Sequence, residues 1–209
     1  MTAPPAPWRL RGHGLVALRL VPSGIARAQV PPDVRLVPVL PNRSLALVLC
    51  ARYGEGSTLR YSELIVAPGL VRARGRLGWW ISHLWVDDLT ALAGGRTIWG
   101  LPKQVARFRW APDGRGVAVR DPRDESLLCA LSPARDAPWR GGVPLPVLAP
   151  ALCRKDSRLM HFGVRGRVRV RPTQGRLQLA PRALPLPGPS QPVRVLWLPR
   201  FALRVSAPR

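Results

Sequence analysis

The sequence has almost no lysine: of 33 basic residues among 209, only Lys103 and Lys155 are lysines and the rest are arginine. Acidic residues are scarce as well, eleven in all, which leaves a formal charge of +22. Cys50, Cys129 and Cys153 are odd in number and far apart, with no C-x-x-C pair. That excludes a disulfide framework as the basis of the fold and points to reduced thiols. His13, His83 and His161 are equally scattered, so zinc-site spacings are missing and no metal is expected. No run approaches the ~18 consecutive apolar residues of a membrane-spanning helix. Residues Met1–Gly14 lack the basic start and apolar stretch of a secretory signal. The expectation is a cytoplasmic protein without a membrane partner.

Hydrophobic residues, in contrast, make up 46% of the chain, enough for a sizeable core, and 25 prolines and 19 glycines punctuate it. The length suits one domain over residues 1–209. No 3.6-residue apolar period and no internal repeat is present; short apolar or alternating runs between turn residues predict strands instead. Such runs are Leu15–Leu20, Val34–Val37, Ser44–Ala51, Tyr61–Val66, Val71–Gly75 and Trp79–Val86. A short helix is predicted over Leu89–Ala93, with Asp88 as its cap and Gly94-Gly95 as its stop. Beyond it, Lys103–Trp110 and Gly116–Arg120 flank Pro112-Asp113-Gly114 as a hairpin, and Leu127–Leu131 is a further strand. Pro133–Pro150 and Pro181–Pro192 read as loops, around strands at His161–Arg171, Leu177–Leu179 and Val193–Leu198. The sum is a mainly β protein, an antiparallel sandwich or barrel with short helices.

The positive charge raises nucleic acid as a partner. Arginines nevertheless run from Arg9 to Arg209, and their use alongside Pro, Gly, Ala, Leu and Val reads as a compositional bias. The densest stripe, Arg165, Arg167, Arg169 and Arg171 alternating with Val164, Val168 and Val170, has no aromatic residues interleaved and reads as a solvated strand face. General affinity for anions remains an expectation.

The chemistry concentrates in residues 78–106. Trp85-Val86-Asp87 precedes the short helix, followed by Gly95-Arg96-Thr97 and Leu101-Pro102-Lys103-Gln104; upstream stands Tyr61-Ser62-Glu63. Farther on come Thr173–Leu179 and Leu184-Pro185-Leu186. This pattern resembles the signature of the acetoacetate decarboxylase family: aromatic-x-Asp, an Ala-rich helix, Gly-Arg-Glu, Pro-Lys-Lys and Tyr-x-Glu. The resemblance implies a barrel-like β fold, a small keto-acid substrate, no cofactor and a tendency to form homo-oligomers. It makes Lys103 the Schiff-base amine and Glu63 a catalytic acid or base. It also makes Arg11 and Arg96 the candidates for binding the substrate carboxylate, with holding the loop through backbone contacts the equal alternative for Arg96.

Elementary chemistry supports the lysine. An amine condenses with a ketone to an iminium that accepts the electrons of the breaking C–C bond, and a guanidinium cannot do so. In a chain so poor in lysine, one of the two sits at that position. Three departures accompany it. Gln104 replaces the second family lysine, Thr97 replaces an acid, and apolar Ala46–Leu49 stands where another acid is expected. Alternation along a strand predicts that Gln104 points away from Lys103. Burial of Lys103 in an apolar cavity would then have to favour the neutral amine. Aldol addition or dehydration of a keto acid uses the same iminium, and a noncatalytic anion-binding or nucleic-acid-binding role is a third alternative.

Overall fold

In the computed structural model, which describes residues 2–134, 142–183, 185 and 192–209, side-chain alternation is expressed as strands almost throughout. The first half contains β1 (Trp8–Pro22), α1 (Ser23–Arg27), β2 (Arg35–Val37), β3 (Arg43–Tyr53), β4 (Tyr61–Ala67), β5 (Leu70–Ala73), β6 (Arg76–Trp80) and β7 (His83–Val86). Then come α2 (Leu89–Gly94), a π-helical turn (Gly95–Trp99), β8 (Lys103–Val105), β9 (Arg107–Trp110), β10 (Val117–Arg120) and β11 (Leu127–Pro133). Three long strands complete the sheet: β12 (Val143–Lys155), β13 (Arg158–Leu179) and β14 (Pro192–Val205).

Adjacent strands run in the order β2-β5-β6-β12-β13-β14-β1-β3-β4-β7-β8, and β9-β10-β11 attaches through β13. Only β6–β12 and β7–β8 pair in parallel. The mainly β class is as expected, but the path is open and β2 does not meet β8, so the sheet does not close into a barrel.

Four other expectations change. Trp79–Val86 is two strands, because the chain leaves β6 at Ile81 to pair elsewhere as β7. Lys103–Trp110 likewise breaks at buried Ala106 into β8 and β9. Leu177–Leu179 is the end of β13 and not a separate strand. In the Pro-rich stretch after Pro133 the described residues 143–150 are strand: they open β12 and pair with β13. Pro144, Pro146 and Pro150 share one parity, so their missing N–H groups all face the edge that β13 does not use. Residues 135–141, most of Pro181–Pro192 and the Leu184 and Leu186 of the C-terminal motif lie outside the described residues.

The sheet buries both faces in part. Leu15, Ala17, Val48, Cys50, Leu64 and Val66 form one cluster with residues of β10 and β11, including Val119, Leu128 and Leu131. Opposite positions of the same strands, Trp8, Leu10, Tyr53 and Tyr61, join Trp99, Phe162, Leu198 and Phe201 in a second cluster. The second cluster contains the site.

Candidate active site

Lys103 opens β8 and its side chain is 2% exposed, whereas Gln104 and Val105 beside it are exposed. Alternation therefore separates Gln104 from Lys103 as expected. Three local features aim the lysine inward. Asp88 caps α2 by accepting from the Ala91 N–H at 2.6 Å. The following π-helical turn ends at Gly100, whose φ of 69° is left-handed and suits glycine. Within that turn the Lys103 chain passes directly over Gly95: a Cβ there would lie 2.4 Å from both Cδ and Cε of the lysine. Glycine at position 95 is thus a condition for the lysine's path.

Arg96 then fixes the lysine backbone. Its Nε and Nη2 donate to the Lys103 carbonyl at 2.9 and 2.6 Å. Its fork is spent on that oxygen, and Arg96 does not line the cavity that holds the Lys103 amine. Asp87, from the aromatic-x-Asp motif, accepts from the Ser62 N–H at 2.6 Å and ties the end of β7 to β4.

Glu63, on β4, is 5% exposed and places Oε1 2.9 Å from Lys103 Nζ. Tyr53 donates to Glu63 Oε2 at 2.8 Å, and Tyr61 donates to Oε1 at 3.4 Å. Burial, and next the Glu63 charge, push both phenols well above their usual range, so they stay neutral donors. Lys103 Nζ also lies 4.8 Å from the Tyr61 ring centroid and 5.7 Å from that of Trp8. Trp8 packs edge-on against Trp99 at 4.9 Å, and the two indoles bond backbone carbonyls, Pro4 and Ser206 respectively.

These groups line a cavity of about 110 Å³ whose remaining walls are apolar: Leu10, Ile65 and Leu84 from one side, Phe162, Val164 and Leu203 from the other. Lys103 and Glu63 are thereby brought together. Arg11 and Arg96 are not. Arg11 follows Leu10 on β1, so its side chain leaves the opposite face of the strand and lines a separate surface groove. Neither arginine is positioned to hold a carboxylate beside the lysine. Sequence reasoning missed Tyr53, Trp8 and Trp99 as site residues. The one signal available was that both tyrosines of the chain stand two or ten residues from Glu63. Trp8 had been hidden by the weak pattern of the N-terminus.

A buried lysine and carboxylate in an apolar pocket on a mainly β sheet define a site fit for amine-based carbonyl chemistry. Residues 1–130 match the family described as acetoacetate decarboxylase (ADC), and the chain belongs to that family. Among curated relatives, it is 35% identical over 102 residues to Protein NEOXANTHIN-DEFICIENT 1 of Oryza sativa subsp. japonica, covering 49% of this chain and 33% of the relative. It is 29% identical over 130 residues to Acetoacetate decarboxylase 1 of Bradyrhizobium diazoefficiens, covering 61% of this chain and 49% of the relative. The matches thus span a third to a half of the length of those relatives. The fold is similar to that of the enduracididine biosynthesis enzyme MppR complexed with pyruvate: TM-score 0.64, 17% identity, covering 100% of this chain and 91% of the other.

Proposed function

We propose that the chain is a Schiff-base-forming lyase that decarboxylates a small keto acid through Lys103. The observation that carries this reading is a buried amine 2.9 Å from a buried carboxylate, at the wall of an apolar cavity of about 110 Å³.

Transfer of one ammonium proton to Glu63 leaves a neutral amine, the form that attacks a ketone. Condensation takes that proton back from Glu63 as water leaves and gives the iminium. In a β-keto acid the carboxylate is then carried by the carbon next to the iminium carbon, three bonds from the cationic nitrogen. Breaking the C–C bond sends its electron pair to that nitrogen, giving CO2 and a neutral enamine. Two opposite charges vanish in this step, so apolar walls favour it. The enamine carbon next needs a proton, and the overall reaction takes one from solvent. Glu63 is the group positioned to deliver it, with Tyr53 and Tyr61 holding its orientation. Hydrolysis of the iminium restores Lys103.

Cavity size favours this reading over aldol addition. A cavity of roughly 150 Å³ accommodates benzene, so the smaller one here suits a compact acid of a few carbons and leaves no room for a second carbonyl compound. The test is reduction with borohydride in the presence of acetoacetate, pyruvate and related acids, read by intact mass. The unsubstituted protein should gain one reduced adduct, Lys103→Arg none, and acetoacetate should release CO2. Trapping without CO2 release would replace decarboxylation by aldol or dehydration chemistry; no adduct with any acid would refute the Schiff base.

A further inference from the structure

The arginine stripe of β13 does not stand alone, because the sheet extends it across two more strands. Arg11 of β1 is opposite Ala202 of β14, which is opposite Arg167 of β13. The next row reads Arg9, Arg204, Arg165, and on the other side Arg200 faces Arg169. Paired positions in a sheet share a face, and so do alternate positions along a strand. Seven arginines therefore crowd one face, and all seven are exposed. The rows are about 6.8 Å apart along a strand and about 4.8 Å across strands.

Glu55, at the groove's edge, is the one carboxylate beside them among the groove's lining residues. The strands β1, β13 and β14 contain no Asp or Glu, and none of the seven arginines has an ion pair among the described residues. Like charges directly opposite one another in a sheet are destabilising, and this fold accepts that cost in adjacent rows. Part of the face is concave: Arg11, Arg167, Arg169 and Arg200 line a groove of about 580 Å³, flanked by Pro144 on one side and Gly54-Glu55 on the other. A second copy of the chain is a poor occupant. Its carboxylates are few, and Asp33, Glu63, Asp121 and Glu125 are already paired with cations of their own.

We infer that this groove binds the phosphodiester backbone of a single-stranded nucleic acid. Rows of guanidinium groups match a flexible chain of regularly spaced single charges. The four strands from β12 to β1 span about 14 Å, which admits one strand but keeps a duplex from the floor. A planar anionic bilayer would rest on the flanks and leave the recessed arginines unused. The aromatic residues here are not presented to bases: Phe201 in the groove is 3% exposed, and Trp197, opposite Arg171, lies under the Arg115 and Arg171 guanidinium groups, so recognition is through phosphate with little base preference. The site is independent of the Lys103 chemistry, since Leu10 and Leu203 turn to the opposite side of the same strands.

The experiment is fluorescence anisotropy of a labelled oligothymidylate of about twenty nucleotides, titrated with full-length protein across a salt series. Binding should weaken with a log–log slope near −3, from about four phosphates at ~0.7 each. The variant Arg167→Gln/Arg169→Gln/Arg200→Gln, which removes three of the groove's four arginines, should weaken binding at least tenfold at 0.1 M salt and flatten the slope by about 2. Arg35→Gln/Arg72→Gln/Arg74→Gln removes equal charge from exposed positions of β2, β5 and the turn after it, and should weaken binding less than threefold. Single variants Arg167→Gln and Arg200→Gln, each expected to lose two- to fivefold, serve if the triple variant does not fold. Equal losses in both triple variants would overturn the proposal in favour of bulk charge. So would tighter binding to a duplex or to anionic vesicles than to the single strand, or no binding at 0.1 M salt.

Discussion

Replacing Lys103 by methionine removes a buried charge at nearly constant volume and isolates what the ion pair does for the fold. Glu63 would remain 5% exposed, with its cation gone and only Tyr53 and Tyr61 left to donate to it. Removing one partner of a buried pair costs about 3–5 kcal/mol, because the remaining charge has lost its compensation. The two phenols soften that loss, which argues for the lower end, about 3 kcal/mol. For a chain of this length each kcal/mol shifts Tm by roughly 2–4 °C, so a drop on the order of 10 °C is expected. The double variant Lys103→Met/Glu63→Gln removes both charges while keeping an acceptor for the phenols. It should recover to within about 1 kcal/mol of the unsubstituted protein, a rescue of about 2 kcal/mol relative to Lys103→Met alone. Urea denaturation at pH 7, followed by circular dichroism, reads all three proteins on one scale, and equal m values license the comparison. A single variant that loses less than 1 kcal/mol, or a double variant no more stable than the single, would refute the description of the pair as buried and mutually dependent.

Two further outcomes follow from the same site. Gly95→Ala forces a Cβ to within 2.4 Å of the Lys103 methylenes and should cost about 1–3 kcal/mol, whereas Gly24→Ala, with open space around it, should be neutral or slightly stabilising; thermal melts of both check this. Tyr53 and Tyr61 are the only tyrosines, and both phenols are held well above 10, so absorbance near 295 nm should show no tyrosinate while the fold persists. In the folded state they keep protons that the unfolded chain releases above about pH 10; their contribution is therefore complete below that pH and is lost as pH rises toward the folded values. Ionisation of either tyrosine near pH 10 in folded protein would contradict their burial against Glu63.

Much of this was legible in the sequence where one physical rule acted alone. Asp88 had a capping oxygen and a glycine stop six residues later, and the helix formed there. Lys103 and Gln104 differ in burial because adjacent strand residues must face opposite ways. The Tyr-x-Glu motif brought Glu63 to the lysine. Rules that depend on a neighbouring strand were not legible. Prolines read as loop in residues 143–150 because their common parity matters only once β13 occupies one edge. Ala106 and Ile81 break apparently continuous strands for tertiary reasons, as each half pairs with a different partner. Arg11 was assigned to the substrate, yet Trp8 and Leu10, two positions apart on the same strand, already claim the cavity face. For Arg96 the motif left two readings open, a substrate carboxylate or a backbone tie, and the loop that presents Lys103 takes the second, using its fork to hold a backbone carbonyl.

The strand order has a consequence for how the molecule comes into being. β12, β13 and β14 are made last, yet they sit in the middle of the sheet, between β6 and β1. The strands that precede them form three separate pieces, β2-β5-β6, β1-β3-β4-β7-β8 and β9-β10-β11, each with a raw edge. The lysine pocket is open in that intermediate, because Ala151, Phe162, Val164, Leu203 and Val205 have yet to arrive. Closure depends on contacts distant in sequence, which are slow to form because their loop entropy is lost first. The nascent chain thus passes through a stage in which the Lys103 amine and the unpaired edges of three pieces are open to solvent, and β12, β13 and β14 cover them together.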